Sequence, residues 1–244
     1  MRTPFPLLFA LSACDGVPLP DDKPLTGDTA DSGDTADSGA SSLADLLDLS
    51  VNDASASVDA AGLHLITGTE VRAAGGFNGT GTGNKSIAGV PGLDREPLAA
   101  LTVLAWEATS VVGTSAPYFN VIIDPECLGQ REVIVVTDAS LGTPSEGAGG
   151  STRYAFASGD PVWQAVGGLD DVLPSHLSGA GGTLDDVVDA YPDVCLADRD
   201  TGDGGMPAAT QTPAVMILMG DSQSNSTAEQ LVSALEIGVL RLLP

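Results

Sequence analysis

The chain has 244 residues, of which 43% are hydrophobic and only 4% aromatic, so its core must consist mainly of aliphatic side chains. The formal net charge is −24, from 33 acidic and 9 basic residues. Because proteins hold nucleic acid by neutralising its phosphates with Lys and Arg, this balance excludes nucleic acid as a partner. Thirty glycines and sixteen prolines predict many turns, which favours an all-β fold over a helical bundle.

Residues 1–13 hold a short apolar run that begins at Phe5. The run is shorter than the roughly 20 residues of a membrane-spanning helix and has the length of a signal-peptide core. It ends in Leu11-Ser12-Ala13-Cys14, which resembles the lipobox of a bacterial type II signal peptide. The resemblance implies cleavage before Cys14, a lipid on its thiol and a membrane as partner. The alternatives are an ordinary secretory signal or a start site upstream of Met1.

Residues 14–42 are predicted to be a lipidated cysteine followed by a disordered acidic linker. The hexapeptide of residues 27–32 repeats at 33–38, and both copies are small, polar and acidic. Such a composition cannot bury enough apolar surface to fold. The repeat also resembles the tethers of predicted lipoproteins in deltaproteobacteria such as myxobacteria. It implies a cell-envelope address, with the domain in the periplasm or outside the cell and the choice of membrane open.

Three cysteines are present, at positions 14, 127 and 195. A lipid on Cys14 accounts for the odd one and leaves a pair. In an oxidising compartment this pair predicts a Cys127–Cys195 disulfide. The alternative is two unpaired, buried cysteines.

Residues 43–244 are predicted to form one domain. Short runs with alternating or β-branched apolar residues predict its strands. In residues 102–108 the alternation places Leu104 and Trp106 on the core face and Glu107 on the other. Residues 43–49 fit either a helical turn or a strand, and residues 75–92 are predicted to be a long loop or loose hairpin. The predicted strands cover residues 63–71, 102–108, 118–124, 132–137, 152–157, 194–196, 214–219 and 233–242.

One helix is predicted near residues 183–191. Thr183 and Asp186 have the spacing of a capping box, and Pro192 ends the apolar stripe that follows. Eight or nine strands with a single inserted helix predict an antiparallel β-sandwich. Residues 100–242 also resemble bacterial jelly-roll surface modules of the galactose-binding-like or concanavalin-like kind, which implies a fold and no site residue.

Residues 220–222 (Gly-Asp-Ser) resemble the nucleophile block of GDSL-type hydrolases. That family needs a histidine in a later block, and no histidine follows Ser222. A serine hydrolase would have to recruit His64 or His176 from elsewhere in the chain. We therefore assign no catalytic residue from the sequence.

The best candidate for a cation site is the acidic loop that contains Asp198, Asp200 and Asp203. Alternating carboxylates with turn glycines can surround calcium, the one cofactor that the sequence suggests. The alternative is a solvated acidic loop, because Gly202 replaces the third acid of the EF-hand order.

Trp163, beside Pro161 in a predicted loop, is the best candidate for stacking on a sugar ring. Taken together, the sequence favours a cell-envelope lipoprotein whose domain is a non-enzymatic binding or structural module for a glycan or protein. The alternative is an anchored extracellular hydrolase that acts on glycosides or esters.

Overall fold

The computed structural model describes residues 40–50, 53–69, 84–128, 133–137, 143–164, 182–198, 212–220 and 227–244. Within these ranges the chain is mostly strand, with a single α-helix, α1 (Leu184–Ala190), and three 3-10 turns (Leu43–Asp45, Leu98–Ala100 and Ala148–Gly150). The strands are β1 (Leu47–Asp48), β2 (Ser55–Asp59), β3 (Gly62–Thr67), β4 (Ser86–Val90), β5 (Val103–Val112), β6 (Tyr118–Asp124), β7 (Val133–Val136), β8 (Thr143–Glu146), β9 (Thr152–Ala157), β10 (Pro161–Gln164), β11 (Gly182–Thr183), β12 (Cys195–Leu196), β13 (Val215–Met219), β14 (Ala228–Ile237) and β15 (Leu240–Leu242).

The strands form two antiparallel sheets. The first sheet has the order β1-β4-β13-β6-β7-β10-β11, and β12 pairs with β6. The second sheet has the order β2-β3-β14-β5-β9-β8, and β15 pairs with β14. The chain changes sheet repeatedly, for example between β3 and β4 and again between β5 and β6. The predicted antiparallel β-sandwich is confirmed.

The core between the sheets centres on Trp106 of β5, whose side chain is fully buried. Its ring stacks on Tyr154 and Phe156 of the neighbouring strand β9, with centroids 5.2 and 5.5 Å away. Across the core it meets Phe119 of β6 edge-on at 5.6 Å. The rest of the core is mostly aliphatic, as the low aromatic content requires. The predicted inward face of β5, with Leu104 and Trp106 buried and Glu107 partly exposed, is confirmed.

Three neighbouring strands of the first sheet, β4, β13 and β6, bury apolar residues on both faces. The inner face of this sheet contributes residues such as Val215 and Ile217 to the main core. On its other face a second cluster joins Ile87 of β4, Ile122 of β6 and Met216 of β13, each less than 5% exposed. Strands that are buried on both sides need not alternate between apolar and polar residues. This double burial explains the uninterrupted apolar run of β13.

Two predictions about local structure are wrong. Residues 86–90 lie in the segment predicted as a long loop or loose hairpin, yet they form β4 between β1 and β13, with every residue buried. Ser86, Ala88 and Gly89 interrupt its apolar residues and conceal the strand. Gly89 has no room for a side chain, since a Cβ there would lie 2.8 Å from Cγ of Pro213. Trp163 is likewise on a strand rather than in a loop: it pairs with Val136 through β10 and β7.

The predicted helix and its cap are confirmed. The Thr183 hydroxyl accepts a hydrogen bond from the Asp186 N–H at 3.0 Å, and the Asp186 carboxylate accepts one from the Thr183 N–H at 3.0 Å. The buried side chains of Leu184 and Val187 attach the helix to the main core. The open alternative at residues 43–49 resolves into both forms, a 3-10 turn followed by the short strand β1.

A disulfide bond joins Cys127 to Cys195, as predicted. The Cα atoms are 5.4 Å apart and 68 positions separate the two residues. Cys195 belongs to β12 and pairs with Asp124 of β6, and Cys127 lies in the turn that follows β6. Nη1 of Arg95 donates to the carbonyl of Cys127 at 2.6 Å. The bond therefore ties a strand of only two residues to its neighbour.

Replacing both cysteines, Cys127→Ser with Cys195→Ser, should lower the free energy of unfolding by about 4 kcal/mol. This is the loop-closure entropy that the chain-entropy model assigns to a bridge of this separation. Urea unfolding under oxidising conditions measures the difference. Reductant should bring the unreplaced chain to the level of the double variant and leave the variant unchanged. Equal midpoints for the two oxidised proteins would contradict a stabilising bridge.

Candidate functional site

Asp198 serves as a structural acceptor at the start of the predicted calcium loop. Its Oδ1 accepts a hydrogen bond from the N–H of Ala214 at 2.7 Å, just before β13. Its own N–H donates to Oδ1 of Asp94 at 2.9 Å. The exit of β12 is thus linked to the entry of β13. Asp200 and Asp203 lie outside the described residues.

Within the part of the chain that the structure describes, no group of three or more His, Cys, Asp or Glu side chains is arranged to hold a metal ion. Calcium at residues 198–203 therefore remains a prediction from the sequence.

The hydrolase hypothesis falls mostly outside the described ranges. Gly220 is described, and its carbonyl accepts a hydrogen bond from the Tyr118 hydroxyl at 2.9 Å. Asp221, Ser222 and His176 are not among the described residues. Of the candidates for a base, only His64 can be placed.

His64 lies on β3 between two carboxylates of neighbouring strands. Its Nδ1 is 3.0 Å from Oε1 of Glu229 on β14, and its Nε2 is 3.3 Å from Oδ2 of Asp59 on β2. The side chains of His64 and Glu229 are 23% and 25% exposed, so water screens this contact only in part. We call these three residues the histidine cluster.

The contacts of the histidine cluster shift the pKa values of His64 and Asp59. The hydrogen bond to Glu229 raises the pKa of His64 above its ordinary value near 6.5, against the desolvation of the ring, and Asp59 adds to the increase. The pKa of Asp59 is lowered, first by the N–H of Ala61 and then by His64. Both ring nitrogens thus face carboxylates, an arrangement that favours the imidazolium over the neutral imidazole that a general base requires.

The histidine cluster was not predicted from the sequence. Asp59 and His64 are close in the chain, but 165 positions separate His64 from Glu229. The antiparallel pairing of β3 with β14 brings the last two together. The position of His64 on a predicted strand was the only signal in the sequence.

Trp163, the residue predicted to stack on a sugar ring, can be located by its backbone pairing alone. Trp163 pairs with Val136 of β7, Val136 pairs with Asn120 of β6, and Asn120 pairs with Met216 of β13. The backbone of Trp163 therefore lies in the first sheet, on the side of β7 away from β6. Its stacking on a sugar remains a prediction.

Comparisons with models of protein families, with curated proteins and with solved structures give no match for this chain. The described residues also contain no helix that is both long and apolar enough to cross a membrane.

Replacing Asp198 separates its structural role from the predicted calcium role. Asp198→Ala leaves the N–H of the fully buried Ala214 without its carboxylate acceptor, so unfolding should become easier by about 1.5–3 kcal/mol. Asp198→Asn keeps an oxygen at the same place and should retain most of the stability. Urea unfolding of both variants, with calcium and with a chelator, makes the comparison. A urea midpoint that calcium raises in the unreplaced chain but not in Asp198→Asn would contradict a purely structural role.

Proposed function

We propose that this chain is a lipid-anchored protein of the bacterial cell envelope whose β-sandwich is a non-enzymatic binding or structural domain. The observation that carries the non-enzymatic part is the histidine cluster. His64 is the only described residue among the candidate catalytic bases, and its Nδ1 contacts Glu229 while its Nε2 lies 3.3 Å from the Asp59 carboxylate. Asp198, the described member of the candidate calcium loop, is likewise engaged in a backbone contact.

The anchor part of the proposal rests on the lipobox and on the use of cysteine. A structural disulfide persists in the periplasm or outside the cell and is rare in the cytosol. The Cys127–Cys195 bond therefore supports an exported domain. With that pair accounted for, Cys14 is the remaining cysteine, and it occupies the lipidated position of the lipobox.

The proposal gives the acidic repeat the role of a spacer. Shortly after the repeat, Ala40 is buried and donates its N–H to the carbonyl of Pro91 at 3.4 Å. A Gly/Ser-type chain from Asp15 to residue 39 would span about 25–30 Å on average, and like charges lengthen it. This distance would hold the sandwich clear of lipid headgroups. The ligand we propose is a glycan or a protein, with Trp163 as the candidate stacking residue.

Lipidation is tested by labelling with palmitate in a bacterial host. The unreplaced chain should carry label and sediment with membranes, and Cys14→Ala should lose both properties, because the acylated thiol is absent. The matched control is the double variant Cys127→Ser with Cys195→Ser, which keeps Cys14 and should stay labelled. Label on Cys14→Ala, or none on the unreplaced chain, would contradict the anchor.

A further inference from the structure

The histidine cluster connects three adjacent strands of the second sheet. Asp59 ends β2, His64 lies on β3 and Glu229 is near the start of β14. The ladder pairs β3 with β2 on one side and with β14 on the other. The two contacts of the His64 ring therefore link the edge strand β2 to the interior strand β14 through β3.

Asp59 also shapes the turn between β2 and β3. Its Oδ1 accepts a hydrogen bond from the N–H of Ala61 at 2.7 Å, while its Oδ2 faces the His64 ring. The next residue, Gly62, has φ +146°, and a Cβ there would collide with the carbonyl oxygen of Val232 on β14. The turn that Asp59 stabilises therefore packs closely against the backbone of β14.

The proton on His64 decides whether both contacts are attractive. An imidazolium donates from both nitrogens, so it can bind Glu229 and Asp59 at the same time. A neutral imidazole donates from one nitrogen only. With that proton on Nδ1, which makes the shorter contact, the lone pair of Nε2 faces the Asp59 carboxylate. Deprotonation therefore converts the contact with Asp59 from attraction to repulsion.

We propose that His64 is a proton-controlled clamp that fastens the β2–β3 hairpin to β14 in mild acid and loosens it as the pH rises. Asp59 from β2 and Glu229 from β14 are the titratable groups that the described structure places against the ring. The residues directly opposite His64 in the ladder, Ser57 and Leu231, do not titrate. The clamp is a property of the fold and goes beyond the proposed envelope role.

The direction of the pH dependence follows from the two shifts. A raised pKa of His64 gives stability that is complete below its unfolded value near 6.5 and is lost as the pH rises through the folded value. A lowered pKa of Asp59 gives stability that is complete above its unfolded pKa of 3.8 and is lost as the pH falls through the lower folded pKa. The clamp is therefore closed near pH 5 and open in alkali.

Amide hydrogen exchange between pH 5 and pH 9 tests the clamp. After correction for the intrinsic rate, protection of residues 55–67 should fall as the pH rises. The fall should be about tenfold for each unit by which the His64 pKa of the closed hairpin exceeds that of the open one. Amides of β13 report on the rest of the domain and should change less.

The matched variant is His64→Gln, which cannot titrate and should show no such fall in residues 55–67. The same slope in His64→Gln and in the unreplaced chain, or protection that rises with pH, would overturn the proposal. A second variant, Glu229→Gln, keeps an acceptor but removes the charge, and it should lower the His64 midpoint seen by NMR. An unchanged midpoint would also overturn it.

Discussion

The contact on which the sandwich most depends is that of Trp106 with the opposite sheet. In a chain with so few aromatic residues, one indole on β5 stacks on two rings of β9 and meets Phe119 of β6 across the core. Aromatic side chains bury far more area than aliphatic ones, so this cluster fixes how the sheets face each other. The aliphatic residues around it fill the remaining volume.

The predictability of each strand follows from how it is buried. Strands β5 and β9 have one more buried face and one more exposed face, so the alternation of apolar and polar residues reveals them in the sequence. Strand β4 is buried on both faces, so no period-two pattern marks it. The Thr183 capping box was predictable because its partners are three residues apart, whereas a sheet neighbour can come from anywhere in the chain.

The same distinction separates the sites. The Cys127–Cys195 disulfide was predictable from counting cysteines, since only one pairing was left after Cys14. The contact between His64 and Glu229 depends on the pairing of strands distant in sequence, which composition and spacing do not encode. An acidic chain offers many carboxylates, and only the fold selects the two beside the ring. Local sequence patterns thus suggested the location in the cell envelope, whereas the pairing of distant strands forms the histidine cluster.

The most direct test of this account is the fluorescence of Trp106 in a chain with Trp163→Phe, which leaves a single indole. Because Trp106 is fully buried between the sheets, its emission should be blue-shifted and resistant to quenching by acrylamide until the domain unfolds. Red-shifted emission that acrylamide quenches in the native protein would contradict a sandwich joined through Trp106.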